Sequence, residues 1–386
     1  MSFGISVLFA FALTFSAAET GVTEDEIVIG SCYAFDGNLS KFGIEQIKGA
    51  EAFRRYINDR GGIHGRKLRF ISYDDKDNAD EAITCFRRLI FEGAFAAGFF
   101  AGSTPGVKHV TMAEANKIPL VGIFSGGAWV NEPPKRYVIN VRTNFRDEAR
   151  QMAEHIAADL HARKVGMIYE NAPVGLILLN ELRTALKAHG IDFAERGFPS
   201  HSLDVGPAMD AIRAEKPDVV ALMGLYKPVT EILKRSEKAG WRPQFITPVK
   251  EDAMFAEAGT AAEGLISTRI FPPVDSNLQT MALYRKMLAK YVPEAKPNQV
   301  SLEGFIDAMV LVEGLKRAGK QPTREGLIDA LESIHDWEIG LGPEYKITFG
   351  PNRHKALDRV YFIVVRKGKI ETLNDWRSLQ RNAPGK

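Results

Sequence analysis

The sequence predicts an α/β protein of two doubly wound parallel-sheet lobes. Three observations predict it. Short apolar runs alternate with amphipathic segments four times before residue 125. The same rhythm restarts at residue 144 with different letters. A helix-rich tail then follows that is longer than the second lobe needs. Continuous apolar strands between amphipathic helices mean a parallel sheet covered on both faces.

In the first half, "EIVIGSCYAF" (26–35) reads as a strand and the segment from Gly43 to Gly62 as a helix. Ile44, Ile47, Ala50, Phe53 and Ile57 recur there at helical spacing, and Gly61-Gly62 stop it. "RKLRFISYDD" (66–75) is a strand, and 78–93 a helix capped by Asn78. "AFAAGFF" (94–100) and "IPLVGIF" (118–124) are strands on either side of a helix over 106–117.

In the second half, helices are expected over 144–162, 175–190, 208–216 and 229–240. Strands are expected at "KVGMIYE", "PDVVALMG", "QFITPV" and "EGLISTRIF". The tail holds long amphipathic helices over 277–291 and 302–319, then one after Thr323 as cap. "RVYFIVVRKGKIETL" reads as a hairpin around Lys367-Gly368. Part of this tail is expected to return to the first lobe. Several interlobe crossovers make a hinge.

Composition narrows the function. A hydrophobic share of 45% with 25% charged residues is that of a globular protein. Basic and acidic residues nearly balance at 50 against 48, and no long basic block appears, so no nucleic-acid partner is expected. Residues 1–18 carry an apolar run from Val7 to Phe15 and the small residues Ser16-Ala17-Ala18, which fit a cleaved export signal. No later stretch is long and apolar enough to span a bilayer, so the mature protein is expected to be soluble. Cys32 and Cys85 are the two cysteines; a disulfide and two buried thiols are equally open readings.

Ligands in open parallel sheets sit beyond the carboxyl ends of the strands. The loops there are 33–43, 101–106, 124–129, 169–175, 223–228 and 247–252. Most carry Gly beside hydroxyl or aromatic side chains, the chemistry that holds a small anion through backbone N–H groups and hydroxyls. Ser103 and Thr104 suit ligand contacts and equally suit helix caps. Phe42, Tyr226 and Trp129 are candidate walls, each also suited to the core or a lobe surface. Asp36 is assigned to its own turn. No histidine lies in these loops, and no nucleophile elbow, metal-ligand spacing or phosphate loop occurs. Catalysis, a metal and a cofactor are therefore not expected. "YDDKDN" lacks the Gly and terminal Glu of a calcium loop and reads as a turn at a strand end.

Four stretches carry a resemblance: 27–78, with Gly61-Gly62-Ile63 and Tyr73-Asp74-Asp75; "IPLVGIFSGGA"; "YVINVRTNFRDEA"; and "SLEGFIDAMVLVEGLKRAG". In this order and spacing the chain resembles the substrate-binding proteins of branched-chain amino acid ABC importers. The resemblance implies the type I periplasmic binding fold, with two lobes joined by three crossovers and closing on a ligand. It implies a first lobe of 24–142 and 272–345, and a second of 143–271 and 346–386. It implies a monomeric periplasmic carrier, not an enzyme, that delivers a small carboxylate-bearing ligand to an ABC permease. A sensor for a signalling partner would use the same pocket, and a hydrolase would need a base not visible here.

Residue by residue, the resemblance places Phe42 in the pocket. It places the carboxylate cradle at Gly102 and Ser103 with Ser125, Gly126 and Gly127. Val174 and Tyr226 fall at second-lobe aromatic positions, and Glu251 near the acidic residue that receives the ligand ammonium. The chain departs at Val174, which is not aromatic, and at Val249, which aligns with the acidic residue. Lys76-Asp77 stands where some relatives have a cysteine. An amine-bearing ligand needs an acceptor, for which Glu251 is the candidate. Without one, an amine-free carboxylate is expected, with Lys250 as a second positive contact.

Overall fold

The computed structural model describes residues 19–37, 39–200, 202–343 and 345–380. The expected export signal, residues 1–18, lies outside the described residues. Two sheets carry the chain. The first is formed by β1 (Glu26–Tyr33), β2 (Lys67–Asp74), β3 (Ala96–Ala101), β4 (Leu120–Phe124) and β5 (Val138–Ile139). Its order is β2-β1-β3-β4-β5, and every neighbouring pair is parallel.

The second sheet holds β6 (Lys164–Glu170), β7 (Asp192–Phe198), β8 (Val219–Met223), β9 (Gln244–Thr247), β10 (Ile266–Arg269), β11 (Tyr361–Arg366) and β12 (Lys369–Thr372). Its order is β12-β11-β10-β9-β8-β6-β7. It is parallel from β10 to β7, and the expected hairpin β11–β12 adds two antiparallel strands at one edge. Strands β3 and β8 are buried along their whole length, as their unbroken apolar letters require.

Helices cover both faces of each sheet. In the first lobe α2 (Ala79–Phe91) and α3 (Ser103–Asn116) lie on one face and α1 (Ser40–Asn58) on the other. In the second, α4 (Phe145–Ala158) and α5 (Pro173–Ala188) share one face. The other face carries α6 (Gly206–Ala214), α7 (Tyr226–Lys238) and α8 (Asp252–Ala258).

The tail helices α9 (Gln279–Tyr291) and α10 (Gln299–Ala318) return to pack on α1, and α11 (Arg324–Glu332) packs on α10. The crossing of α1 and α10 is a glycine contact. A Cβ on Gly49 meets the Ser301 carbonyl, and one on Gly304 meets the Gln46 carbonyl. The backbones approach that closely because neither residue has a side chain. Asn78, Asn144, Asn298 and Thr323 cap α2, α4, α10 and α11 through side-chain oxygens.

The chain crosses between lobes three times: after β5, after β10 and after α11. Two crossovers run side by side. Asn140 N–H donates to the His354 carbonyl at 2.9 Å and Leu357 N–H to that of Val141 at 3.0 Å.

Several details differ from the sequence reading. Helices α1, α3, α5 and α7 each begin two or three residues earlier than expected, inside what read as loops. Strand β7 has no apolar run; its charged, part-exposed residues befit the edge position that it occupies. The two-residue β5 and the seven-residue α8 are too short for periodicity to reveal. Cys32 and Cys85 form a disulfide with their Cα atoms 6.2 Å apart, tying β1 to α2.

Candidate ligand-binding site

The earlier helix starts change the character of the strand ends. Ser103-Thr104-Pro105-Gly106 is the first turn of α3, and Pro173-Val174 opens α5. Proline fits there because the first N–H groups of a helix have no internal partner. Each helix start presents free N–H groups and the positive end of its dipole.

These starts converge on one cavity of about 580 Å³ between the two sheets. Phe42, Gly102, Ser103, Thr104, Ser125 and Gly126 line it from the first lobe. Val174, Val249 and Glu251 line it from the second. Ser103 Oγ and Ser125 Oγ lie 2.9 Å apart and are hydrogen-bonded, so the two first-lobe loops form one hydroxyl-bearing ledge. Gly102 has φ +99°, and a Cβ there falls 2.7 Å from Asp77 Oδ1 and 3.0 Å from Pro105 Cγ. Glycine is therefore required at this helix cap. Gly126 is required as well, because the Phe145 ring occupies the space of a Cβ. The rings of Phe42 and Phe124 stack at 5.4 Å and give the cavity an aromatic wall.

Gly127 and Tyr226 stand outside the cavity wall. Gly127 N–H donates to Ser125 Oγ at 3.3 Å, and its missing side chain makes room for the Trp129 indole. Trp129 thus packs within the first lobe. Tyr226 opens α7 beside the cleft, and its ring carries Lys41 Nζ at 4.4 Å. The same ammonium lies 5.0 Å from the Phe42 ring and 4.0 Å from Glu251 Oε1. Lys41 on α1 therefore touches both lobes at the cleft mouth. Its place beside Phe42 in the first strand-end loop was the signal for it.

Three ion pairs at the cleft, each with at least one buried partner, had no local signal in the sequence. Arg142 Nη1 meets Glu303 Oε1 at 3.2 Å, and both residues line the cavity. Lys250 Nζ meets Glu148 Oε1 at 2.6 Å and the Pro248 carbonyl at 2.8 Å. Arg269 Nη2 meets Asp252 Oδ1 at 3.1 Å. Lys250 is thus held by the protein and also lines the cavity. Burial pulls the Lys250 ammonium down, with Glu148 opposing, and pushes the Glu303 carboxyl up, with Arg142 opposing. Asp307, one turn after Glu303, is pushed well up by burial and fills the space beside Gly122. No group of three or more His, Cys, Asp or Glu residues is arranged to hold a metal among the described residues.

A family model described as periplasmic binding protein matches residues 26–369. The chain belongs to this family. As a periplasmic binding protein it is a solute receptor, and the relatives below are binding proteins rather than enzymes. A Leu/Ile/Val-binding protein homolog 7 of Brucella abortus (strain 2308) is 27% identical, with 94% of this chain and 95% of that one aligned. A possible leucine/isoleucine/valine-binding protein from Rhodopirellula baltica shares the fold with a TM-score of 0.82 at 23% identity, over 92% of this chain and 98% of its own. The branched-chain amino acid transporter substrate-binding protein LivJ of Streptococcus pneumoniae, in complex with isoleucine, gives a TM-score of 0.76 at 17% identity. That match covers 90% of this chain and 98% of that one. These structures establish the type I periplasmic binding fold for this chain. No helix among the described residues is long and apolar enough to cross a membrane.

Proposed function

We propose that this receptor captures a small carboxylate-bearing solute, an amino acid or a related organic acid, and delivers it to an ABC permease. The observation that carries the reading is the convergence of helix starts from both lobes on one cavity, beside the Ser103–Ser125 ledge. That arrangement favours an anion by dipole and by free N–H donors. In this reading 24–142 with 272–345 form the gripping lobe, and 143–271 with 346–386 the closing lobe. The chain works as a monomer, exported to the periplasm after removal of residues 1–18. The ligand favours closure only through contacts with both lobes.

The test is a thermal-shift panel on protein unfolded and refolded to remove carried ligand. The panel holds aliphatic amino acids, aliphatic and aromatic carboxylates, and the matching neutral amides. A ligand of the folded state alone raises the melting temperature by mass action. Shifts from carboxylate-bearing compounds and none from their amides are expected. Shifts confined to neutral compounds overturn the reading. For delivery, uptake of the best ligand is expected to fall when either this protein or the permease is deleted.

A further inference from the structure

We infer that Asp77 is the specificity residue that receives the ligand's ammonium, beside the helix start that holds its carboxylate. The inference rests on the capture reading above and narrows it to α-amino acids. Six carboxylates line the cavity: Glu45, Asp77, Glu170, Glu251, Asp252 and Glu303. Five have partners. Glu45 takes Lys48 at 2.6 Å, Asp252 takes Arg269 at 3.1 Å and Glu303 takes Arg142 at 3.2 Å. Glu170 accepts from Leu225 N–H at 3.1 Å. Glu251 accepts from Lys250 N–H at 3.2 Å and faces Lys41. The Asp77 carboxylate has no hydrogen-bond or ion-pair partner among the described residues.

Its position is built rather than incidental. Lys76 and Asp77 both have positive φ, 53° and 50°, and Asp77 N–H donates to Asp75 Oδ1 at 3.0 Å. This turn aims the side chain at Gly102, with Oδ1 2.7 Å from the site of the missing Cβ. Burial alone acts on the group and pushes its carboxyl up. Closure around a ligand removes more water, and an unpaired anion there is costly. An α-amino acid supplies the partner, because its ammonium and carboxylate sit on one carbon and so reach adjacent protein groups. An amine-free acid instead places its own negative charge beside Asp77. The acceptor thus comes from the first lobe, whereas the sequence reading looked to Glu251 in the second.

The test is calorimetry on stripped wild-type, Asp77→Asn, Asp77→Ala and Glu251→Gln proteins. The probes are two matched pairs: L-leucine with 4-methylpentanoate, and L-phenylalanine with 3-phenylpropanoate. The wild type is expected to prefer the amine-bearing member of a pair by about 10- to 100-fold, the worth of one charge-assisted hydrogen bond. Both Asp77 variants are expected to lose that preference and to bind the amine-free member at least as well as the wild type does. Melting of each ligand-free variant checks its folding. A preference that survives in both Asp77 variants, or that is lost only in Glu251→Gln, overturns the inference. Wild-type binding of the amine-free acids alone also overturns it, while leaving carboxylate capture standing. Binding of none of the four removes amino-acid capture and this inference with it.

Discussion

Lys250 and Glu148 form a buried ion pair at 2.6 Å that joins the loop after β9 to α4. The Glu148 side chain is 1% exposed, and Thr268 also donates to its Oε1. Such a pair is costly to break because the surviving buried carboxylate loses its counter-charge and keeps the Thr268 hydroxyl. Lys250→Met is expected to lower the unfolding free energy by about 3–5 kcal/mol, while Lys250→Met with Glu148→Leu recovers most of the loss. Denaturant titration of the single and double variants checks this.

Lys41 reaches across the cleft mouth to Tyr226 and Glu251. Its contacts are partly exposed, so each is modest. Lys41→Met is expected to weaken ligand binding by about 3- to 10-fold, through faster dissociation. Stopped-flow release of a bound ligand reads it. An unchanged off-rate means that the contact does not hold the lobes together.

Asp75 lies fully buried behind the cleft loop, with Oδ2 3.5 Å from Nε2 of the equally buried His109. Burial pushes the Asp75 carboxyl up to about 7 and holds His109 down to about 3. The folded chain therefore keeps a proton on Asp75 that the unfolded chain gives up near its ordinary value of 3.8. Stability from this group is full below about pH 4 and is lost as pH rises towards 7. Asp75→Asn preserves the acceptor for Asp77 N–H and removes the titration. Its melting temperature relative to the wild type is expected to be higher at pH 8 than at pH 5.

The Cys32–Cys85 bridge closes a loop with a sequence separation of 53. In the chain-entropy model a loop of this length contributes about 4 kcal/mol. The paired Cys32→Ser, Cys85→Ser variant is expected to lose up to that amount, with ligand affinity little changed. Denaturant midpoints of the variant and of reduced wild-type protein are expected to agree.

The α/β rhythm was legible because parallel strands buried on both faces leave unbroken apolar runs such as Ala96–Ala101. The loops lining the cleft were legible by position at the strand ends. Their conformation was not, since Ser-Thr-Pro-Gly reads as a turn although Pro also suits the first turn of a helix. The ion pairs were hidden for a different reason. Arg142 and Glu303 are 161 residues apart, and Lys250 and Glu148 are 102 apart. No local pattern reports such distant pairing. Asp77 stood out only as a departure from the resemblance; its isolation emerges once every other carboxylate in the cleft is seen to have a partner.

The glycine contact between α1 and α10 also bears on how the chain is made. Gly49 leaves the ribosome early, and Gly304 some 250 residues later. At ordinary elongation rates that interval is roughly 12–50 s. Until it ends, the face of α1 that will bear on α10 has no cover. The first lobe therefore cannot mature by itself, and a truncated product ending before Asn298 carries an open apolar groove. Quality-control factors that bind exposed apolar surface have their longest opportunity during that interval.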